Sequence, residues 1–279
     1  MKGSEGLAPV DGARLYYQVR GEGPGVLLIH AGLWDRRIWD DQMEPFAERH
    51  TVVRFDLPGF GRSEFPSRPF SVRRQIADLL DFLGLPSVAV VGCSIGGQIA
   101  LDFCLEHPSR VDALVLVASG MSGDDTPDDK ELLATLEEAE RALQAGDLER
   151  MVDLQLRVWT PLRTDPETDR RIRDIAMDNR RVDTLDWALA ERLDPPAAGR
   201  LHEVQVPTLV ILGERDVPPM AEIGGKLADG IPGATKVAMP GADHLPNMRA
   251  PAEFNRLVLD FLDGAAHPPP PVRSDRQPA

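Results

Sequence analysis

Cysteine is scarce: the 279 residues hold only Cys93 and Cys104. Two cysteines eleven residues apart across one strand-helix unit cannot frame a small disulfide scaffold and point to reduced thiols in a cytoplasmic protein. No Cys/His cluster has zinc spacing, no phosphate loop or dinucleotide fingerprint is present, and no internal repeat appears, so no metal and no cofactor are expected. Apolar runs are short. None approaches the ~20 residues needed to cross a bilayer, and residues 1–30 lack the basic-then-apolar order of a secretory signal. Basic charge is also in deficit. Lys and Arg total 31 against 45 Asp and Glu, a formal net charge of −14. A phosphate backbone or an anionic membrane would repel such a surface, which excludes nucleic acid and lipid headgroups as partners. Cys93 lies at a buried strand end and is expected to pack rather than react.

What is present is an alternation of strands and helices. Val26-Leu27-Leu28-Ile29, Thr51 to Phe55, Val88 to Val91, Val111 to Val117 and Thr208 to Leu212 are apolar runs typical of strands buried on both faces. Arg14 to Val19 adds a strand before them and Ala234 to Met239 one after. Helical patterns separate them, over Arg37 to Arg49, Ser71 to Leu83, Ile95 to about His107, and Glu253 to Leu262. Such spacing gives βαβ units and a mainly parallel central sheet flanked by helices. The alternation breaks at Ser119-Gly120. Residues 121–200 hold helices from about Asp128 to Ala145, Asp147 to Trp159, and in pieces between Thr168 and Leu193. From Asp124 to Arg200 there are 20 acidic and 12 basic side chains, so this insertion alone carries −8. Residues 1–120 and 201–264 then form the core. The insertion, residues 121–200, is expected to be a helical cap over the carboxyl ends of the strands; the alternative is an oligomerisation element, which leaves a homodimer open. Residues 265–279, with four prolines at 268–271, are expected to be a disordered tail.

One stretch organises the rest. Val88-Ala89-Val90-Val91-Gly92-Cys93-Ser94-Ile95-Gly96-Gly97 carries G-x-S-x-G where a strand passes directly into a helix. In that context the turn strains Ser94 and leaves its Oγ exposed, while the Ile95 amide opens a helix whose dipole favours an anion. A serine hydroxyl needs a base, and the base needs an orienting carboxylate. Asp216 follows the strand Thr208 to Leu212, and His244 follows the last strand. Asp243 is a rival acid, although a neighbour of His244 would usually aim its side chain elsewhere. Asp124 and Asp125 are further rivals.

Four motifs together resemble the α/β-hydrolase superfamily, esterase- or lactonase-like members with a serine nucleophile, over about Tyr16 to Leu262. They are His30-Ala31-Gly32-Leu33, the loop Asp56-Leu57-Pro58-Gly59-Phe60-Gly61-Arg62-Ser63, the elbow, and the paired ends Gly213-Glu214-Arg215-Asp216 and Gly241-Ala242-Asp243-His244. The resemblance implies a Ser94–His244–Asp216 triad and an oxyanion hole from the Ile95 amide and one amide of the His30 loop. Ala31 departs from the usual glycine there; the donor falls on Gly32, with Leu33 its alternative. His30 and Asp56 are expected to hold loops, not to take part in chemistry. His50 and His107, at helix ends, are expected to suit the helix dipole as cations. Leu33, Trp34 and Trp159 are candidate pocket walls, and Trp187 a packing residue or a wall. The implied activity is hydrolysis of a small carboxylic ester, lactone or thioester without a cofactor. C–C bond hydrolysis by the same triad and a slow-turnover ligand-binding protein are the alternatives.

Overall fold

Burial on both faces of the central strands sets the architecture. In the computed structural model, which describes residues 3–127 and 130–266, β1 (Ser4–Val10), β2 (Ala13–Arg20), β3 (Gly25–Ile29), β4 (Thr51–Phe55), β5 (Val88–Cys93), β6 (Val111–Val117), β7 (Thr208–Gly213) and β8 (Thr235–Met239) form one sheet in the order β1-β2-β4-β3-β5-β6-β7-β8. The two pairings at the β1 edge are antiparallel and the rest are parallel. Every residue of β3, β4, β5 and β7 is buried. Successive side chains point to opposite faces, so each strand feeds two cores. Leu27, Ile29, Val53, Val90 and Leu116 pack on one side with α2 (Val72–Leu83) and α3 (Ile95–Glu106). Val26, Leu28, Val52, Val91 and Val117 pack on the other with α1 (Asp40–Ala47) and α9 (Pro251–Ala266).

Between β6 and β7 lie α4 (Lys130–Gln144), α5 (Leu148–Trp159), α6 (Pro166–Asp178) and four short 3-10 turns. Their contribution to pairing among the described residues is a single bridge, Phe70 to Ala190. The insertion is fastened to the core by polar ties: the Trp34 indole N–H donates to the Ile172 carbonyl at 3.0 Å, and the Asn179 amide donates to Asp35 at 2.9 Å. α7 (Pro218–Gly230) and α8 (Pro246–Arg249) complete the core. No described helix is long and apolar enough to cross a membrane.

The structure corrects several boundaries. β1 has no apolar run to announce it, because it is an edge strand whose exposure alternates; a turn at Asp11-Gly12 folds it onto β2, with Gly12 at φ 79°. The helix expected over Arg37 to Arg49 divides into a 3-10 turn at Arg36–Trp39 and α1. α9 continues to Ala266, so residues 265 and 266 are helical, not tail. The remainder of the expected tail, 267–279, and Asp128, where an insertion helix was expected to start, lie outside the described residues.

One buried acid offers a test of the core. Asp102 on α3 is 5% exposed and accepts a 2.7 Å hydrogen bond from the Ser122 hydroxyl. Burial pushes its carboxyl up from 3.8 to about 6. The folded state therefore holds this proton more tightly than the unfolded chain, and stability falls as pH rises from about 4 to about 6, by roughly 3 kcal/mol at the plateau. Asp102→Asn keeps the acceptor and removes the charge. Its melting temperature should exceed that of the unmodified protein by several degrees at about pH 8 and differ little at about pH 4. Equal melting temperatures at the higher pH would contradict the penalty.

Candidate active site

The elbow is built by close approach of main chains. Ser94 sits between β5 and α3 at φ 57°, ψ −118°, a conformation L-residues rarely adopt. It is pinned from both sides: its N–H donates to the Val117 carbonyl at 2.9 Å, and its carbonyl accepts from Gly97 and Gln98. A Cβ at Gly92 would collide with the Gly96 carbonyl, so the strand can fold back on the helix only with glycine there. The Ile95 amide opens α3, and among the described residues it meets no main-chain acceptor. Gly32 lies beside it: a Cβ there would stand 3.6 Å from the Ile95 side chain. The next residue, Leu33, is half-buried at φ 68°.

Asp216 and His244 arrive from beyond the ends of β7 and β8. His244 Nε2 is 2.8 Å from Ser94 Oγ, and His244 Nδ1 is 2.9 Å and 3.1 Å from the two Asp216 oxygens. With Nδ1 donating to the carboxylate, Nε2 is left to accept the serine proton. The His244 and Asp216 side chains are 2% and 3% exposed, which strengthens the pairing. Gly213, the last residue of β7, makes this meeting sterically possible. A Cβ there would run into the carbonyls of Ala242 and Asp243. Two main-chain bonds close the same seam, Glu214 N–H to Met239 O at 3.1 Å and Arg215 N–H to Ala242 O at 2.8 Å.

The rival acids are engaged elsewhere. Asp243 is fully buried and faces Arg249, whose Nε lies 3.1 Å from both of its oxygens. Asp124 and Asp125 pair with Lys226, each at 3.0 Å. His30 is fully buried; its Nδ1–H donates to the Ala31 carbonyl at 2.8 Å and its Nε2 accepts from Leu57 N–H at 2.8 Å. Burial pushes it below the ordinary histidine value, which suits a neutral loop fastener. Asp56 accepts from the Arg36 guanidinium at 2.8 Å and from the Arg62 N–H at 2.9 Å, tying down the loop that it opens. His50 and His107 differ from expectation. Burial lowers both, so they favour the neutral form instead of serving a helix dipole as cations. Cys93 is fully buried, and burial raises its thiol well above the usual range, which leaves it inert.

The tryptophans divide. Trp159, at the end of α5, lies with its ring centroid 4.7 Å from that of His244, and its carbonyl accepts the His244 N–H at 3.3 Å. Trp34, expected to wall a pocket, is 1% exposed, with its indole committed to α6 as a strut between core and insertion. Trp187 packs on Phe60 and Phe65. Arg249 escaped the sequence analysis altogether. It lies six residues beyond Asp243 on a four-residue helix, a spacing with no periodic signature.

The seam at Gly213 makes its own prediction. Gly213→Ala should push the Asp216 turn off the His244 loop and slow fluorophosphonate labelling of Ser94 by about tenfold or more, as expected when a small misplacement disturbs reacting groups. Labelling at the unmodified rate would show that the close approach does not set this geometry.

Comparison with known proteins places this geometry in a lineage. A family model for the alpha/beta hydrolase fold matches residues 24–251. The chain is 30% identical over 265 residues to a 2-hydroxy-6-oxononadienedioate/2-hydroxy-6-oxononatrienedioate hydrolase of Pseudomonas putida, covering 90% of this chain and 88% of that protein. It is also 30% identical over 258 residues to the pimeloyl-[acyl-carrier protein] methyl ester esterase of Chromobacterium violaceum, covering 90% and 99% respectively. Among solved structures, a thermophilic esterase from Thermogutta terrifontis superposes with a TM-score of 0.76 at 26% identity, over 94% of this chain and 99% of that one. The chain belongs to the alpha/beta hydrolase fold family and is a hydrolytic enzyme.

Proposed function

We propose that the enzyme hydrolyses a small carboxylic ester, lactone or thioester through an acyl-enzyme on Ser94. The observation that carries this is the unbroken hydrogen-bond line from Ser94 Oγ through the two ring nitrogens of His244 to Asp216. Ser94 Oγ bonds to the substrate carbonyl carbon as its proton passes to His244 Nε2. Asp216 holds the ring tautomer and stabilises the imidazolium that forms. The negative charge moves to the carbonyl oxygen, where the Ile95 amide and that of Gly32, or its neighbour Leu33, donate to it. One such donor is worth about 3 kcal/mol in a comparable hydrolase. Collapse expels the alcohol or thiol, which takes the proton back from His244. Water, deprotonated by the same nitrogen, then releases the acid and restores the hydroxyl.

The residues named supply the nucleophile, base and anion donors, so the chemistry needs no cofactor. Trp159, whose ring lies against His244, and Leu33, beside Gly32, are assigned to the substrate pocket, with the insertion as its cap. A cytoplasmic setting fits two buried, unpaired cysteines. C–C bond hydrolysis is the second candidate, favoured by the 30% identity to the dienedioate hydrolase. Fluorophosphonate should attach once, at Ser94, and Ser94→Ala should abolish both label and p-nitrophenyl ester hydrolysis while melting normally. Full labelling of the alanine variant would refute the assignment. Asp216→Asn should lower kcat by about 10⁴-fold if the protease precedent holds. A loss of less than about tenfold would remove Asp216 from the triad. Trp159→Ala should change the ester chain-length preference in kcat/KM more than it changes melting temperature; an unchanged preference would make Trp159 a packing residue.

A further inference from the structure

His244 carries a buried acid as its immediate neighbour, and the structure shows how that charge is managed. The carboxylate of Asp243 is fully buried, and the Arg249 side chain opposite is 1% exposed. The guanidinium is used almost completely. Nε meets both Asp243 oxygens, Nη2 lies 2.9 Å from Asp243 Oδ2 and donates to the Leu162 carbonyl at 3.0 Å, and Nη1 reaches Asp169 on α6 at 2.5 Å. Asp243 in turn accepts from the Leu162 N–H at 3.3 Å and the Leu245 N–H at 3.4 Å. The His244 N–H donates to the Trp159 carbonyl, and the two rings lie against each other. The stretch from Trp159 to Leu162, leaving α5 for α6, is thus bolted to the histidine loop by three main-chain contacts, two of them through this ion pair.

We propose that Arg249 is a positioning residue for the hydrolysis. It neutralises Asp243 beside His244 and locks the insertion's Trp159–Leu162 segment to the loop that carries the base. The inference rests on the serine mechanism above. Charge near His244 comes from four sources: Asp216 against its Nδ1, Asp243 beside it in the chain, Arg249 behind Asp243, and Asp169 behind Arg249. Cys93 contributes only a neutral thiol, donating to the His244 carbonyl at 3.7 Å. On its far side Arg249 borders a cavity of about 480 Å³ between α5 and α6, lined also by Arg157, Arg163, Arg170, Arg173 and Asp153. Those groups are exposed or half-exposed, in or near water, where their fields are screened. The Arg249–Asp243 pair is buried and is screened much less.

Removing one member of the pair therefore shifts the histidine in opposite senses depending on which is removed. Losing the arginine leaves a bare carboxylate that favours the imidazolium, and losing the carboxylate leaves net positive charge that disfavours it. The experiment is the pH dependence of Ser94 labelling by a fluorophosphonate, which reports on the unprotonated base without a known substrate. Asp243→Asn should move the half-rise of the labelling rate to lower pH and Arg249→Gln to higher pH, each by about half a unit or more. The double variant should return it to its original position. Arg249→Lys keeps the charge but loses the planar fork. It should hold the half-rise while lowering the plateau rate severalfold. Half-rises that stay fixed in both single variants, or move the same way, would overturn the proposal even if both variants melt early. If Arg249→Gln fails to fold, the direction of Asp243→Asn decides alone, and no downward movement overturns the proposal. Absence of Ser94 label in the unmodified protein would sink the serine mechanism and this inference together, whereas normal label with unmoved half-rises sinks only the role of Arg249.

Discussion

Main-chain collision limits set the geometry of this site before any side chain is considered. Three strand ends must deliver a serine, a carboxylate and a histidine to one point, and backbone segments must touch to do so. At Gly92 the strand meets the carbonyl of Gly96; at Gly213 the acid-bearing turn meets the carbonyls of Ala242 and Asp243. Neither place has room for a Cβ. The hydrogen bonds of Ser94 to Val117 and of Arg215 to Ala242 then hold the segments in contact. With positions fixed this way, the 2.8 Å and 2.9 Å bonds of His244 follow from rigid elements rather than from flexible side chains.

Electrostatics builds on that frame. The chain carries −14 overall, yet the acids nearest the site are individually matched. Asp216 meets His244, Asp243 meets Arg249, and Asp56 meets Arg36. Removing one partner of a buried pair usually costs about 3–5 kcal/mol, because the remaining charge stays dry. The pairing of Asp243 thus has two consequences. It makes an acid tolerable next to the histidine, and it ties the insertion to the core beside the place where Trp159 lies against the ring of His244. The seating of the insertion and the alignment of His244 are mechanically one problem in this protein.

Much of this was legible in the sequence because the relevant signals are local. Fully buried strands show as unbroken apolar runs, and Gly-Cys-Ser-Ile-Gly announces its own turn. The structure brings Ser94, His244 and Asp216 together as their places at strand ends implied, and it turns Asp243 away from the ring. What could not be seen depends on contacts between distant segments. β1 is an edge strand without an apolar run, so only its Asp11-Gly12 turn signals it. Trp34 looked like a pocket wall because it follows the His30 loop, but the partner that buries it, Ile172, lies 138 residues away. His50 and His107 stand at helix ends as read, yet their burial, invisible in the sequence, opposes the charge that was expected there. Arg249 is the clearest case: nothing in its spacing from Asp243 or Asp169 reveals that all three meet.

The central claim is that Ser94 becomes covalently acylated during turnover. Rapid acid quench of the enzyme mixed with excess p-nitrophenyl acetate, followed by peptide mass mapping, measures this directly. The account predicts one acetyl group, on Ser94, formed together with the first equivalent of p-nitrophenol. Continued turnover with no acetylated peptide at any quench time, or acetylation confined to another residue, would contradict it.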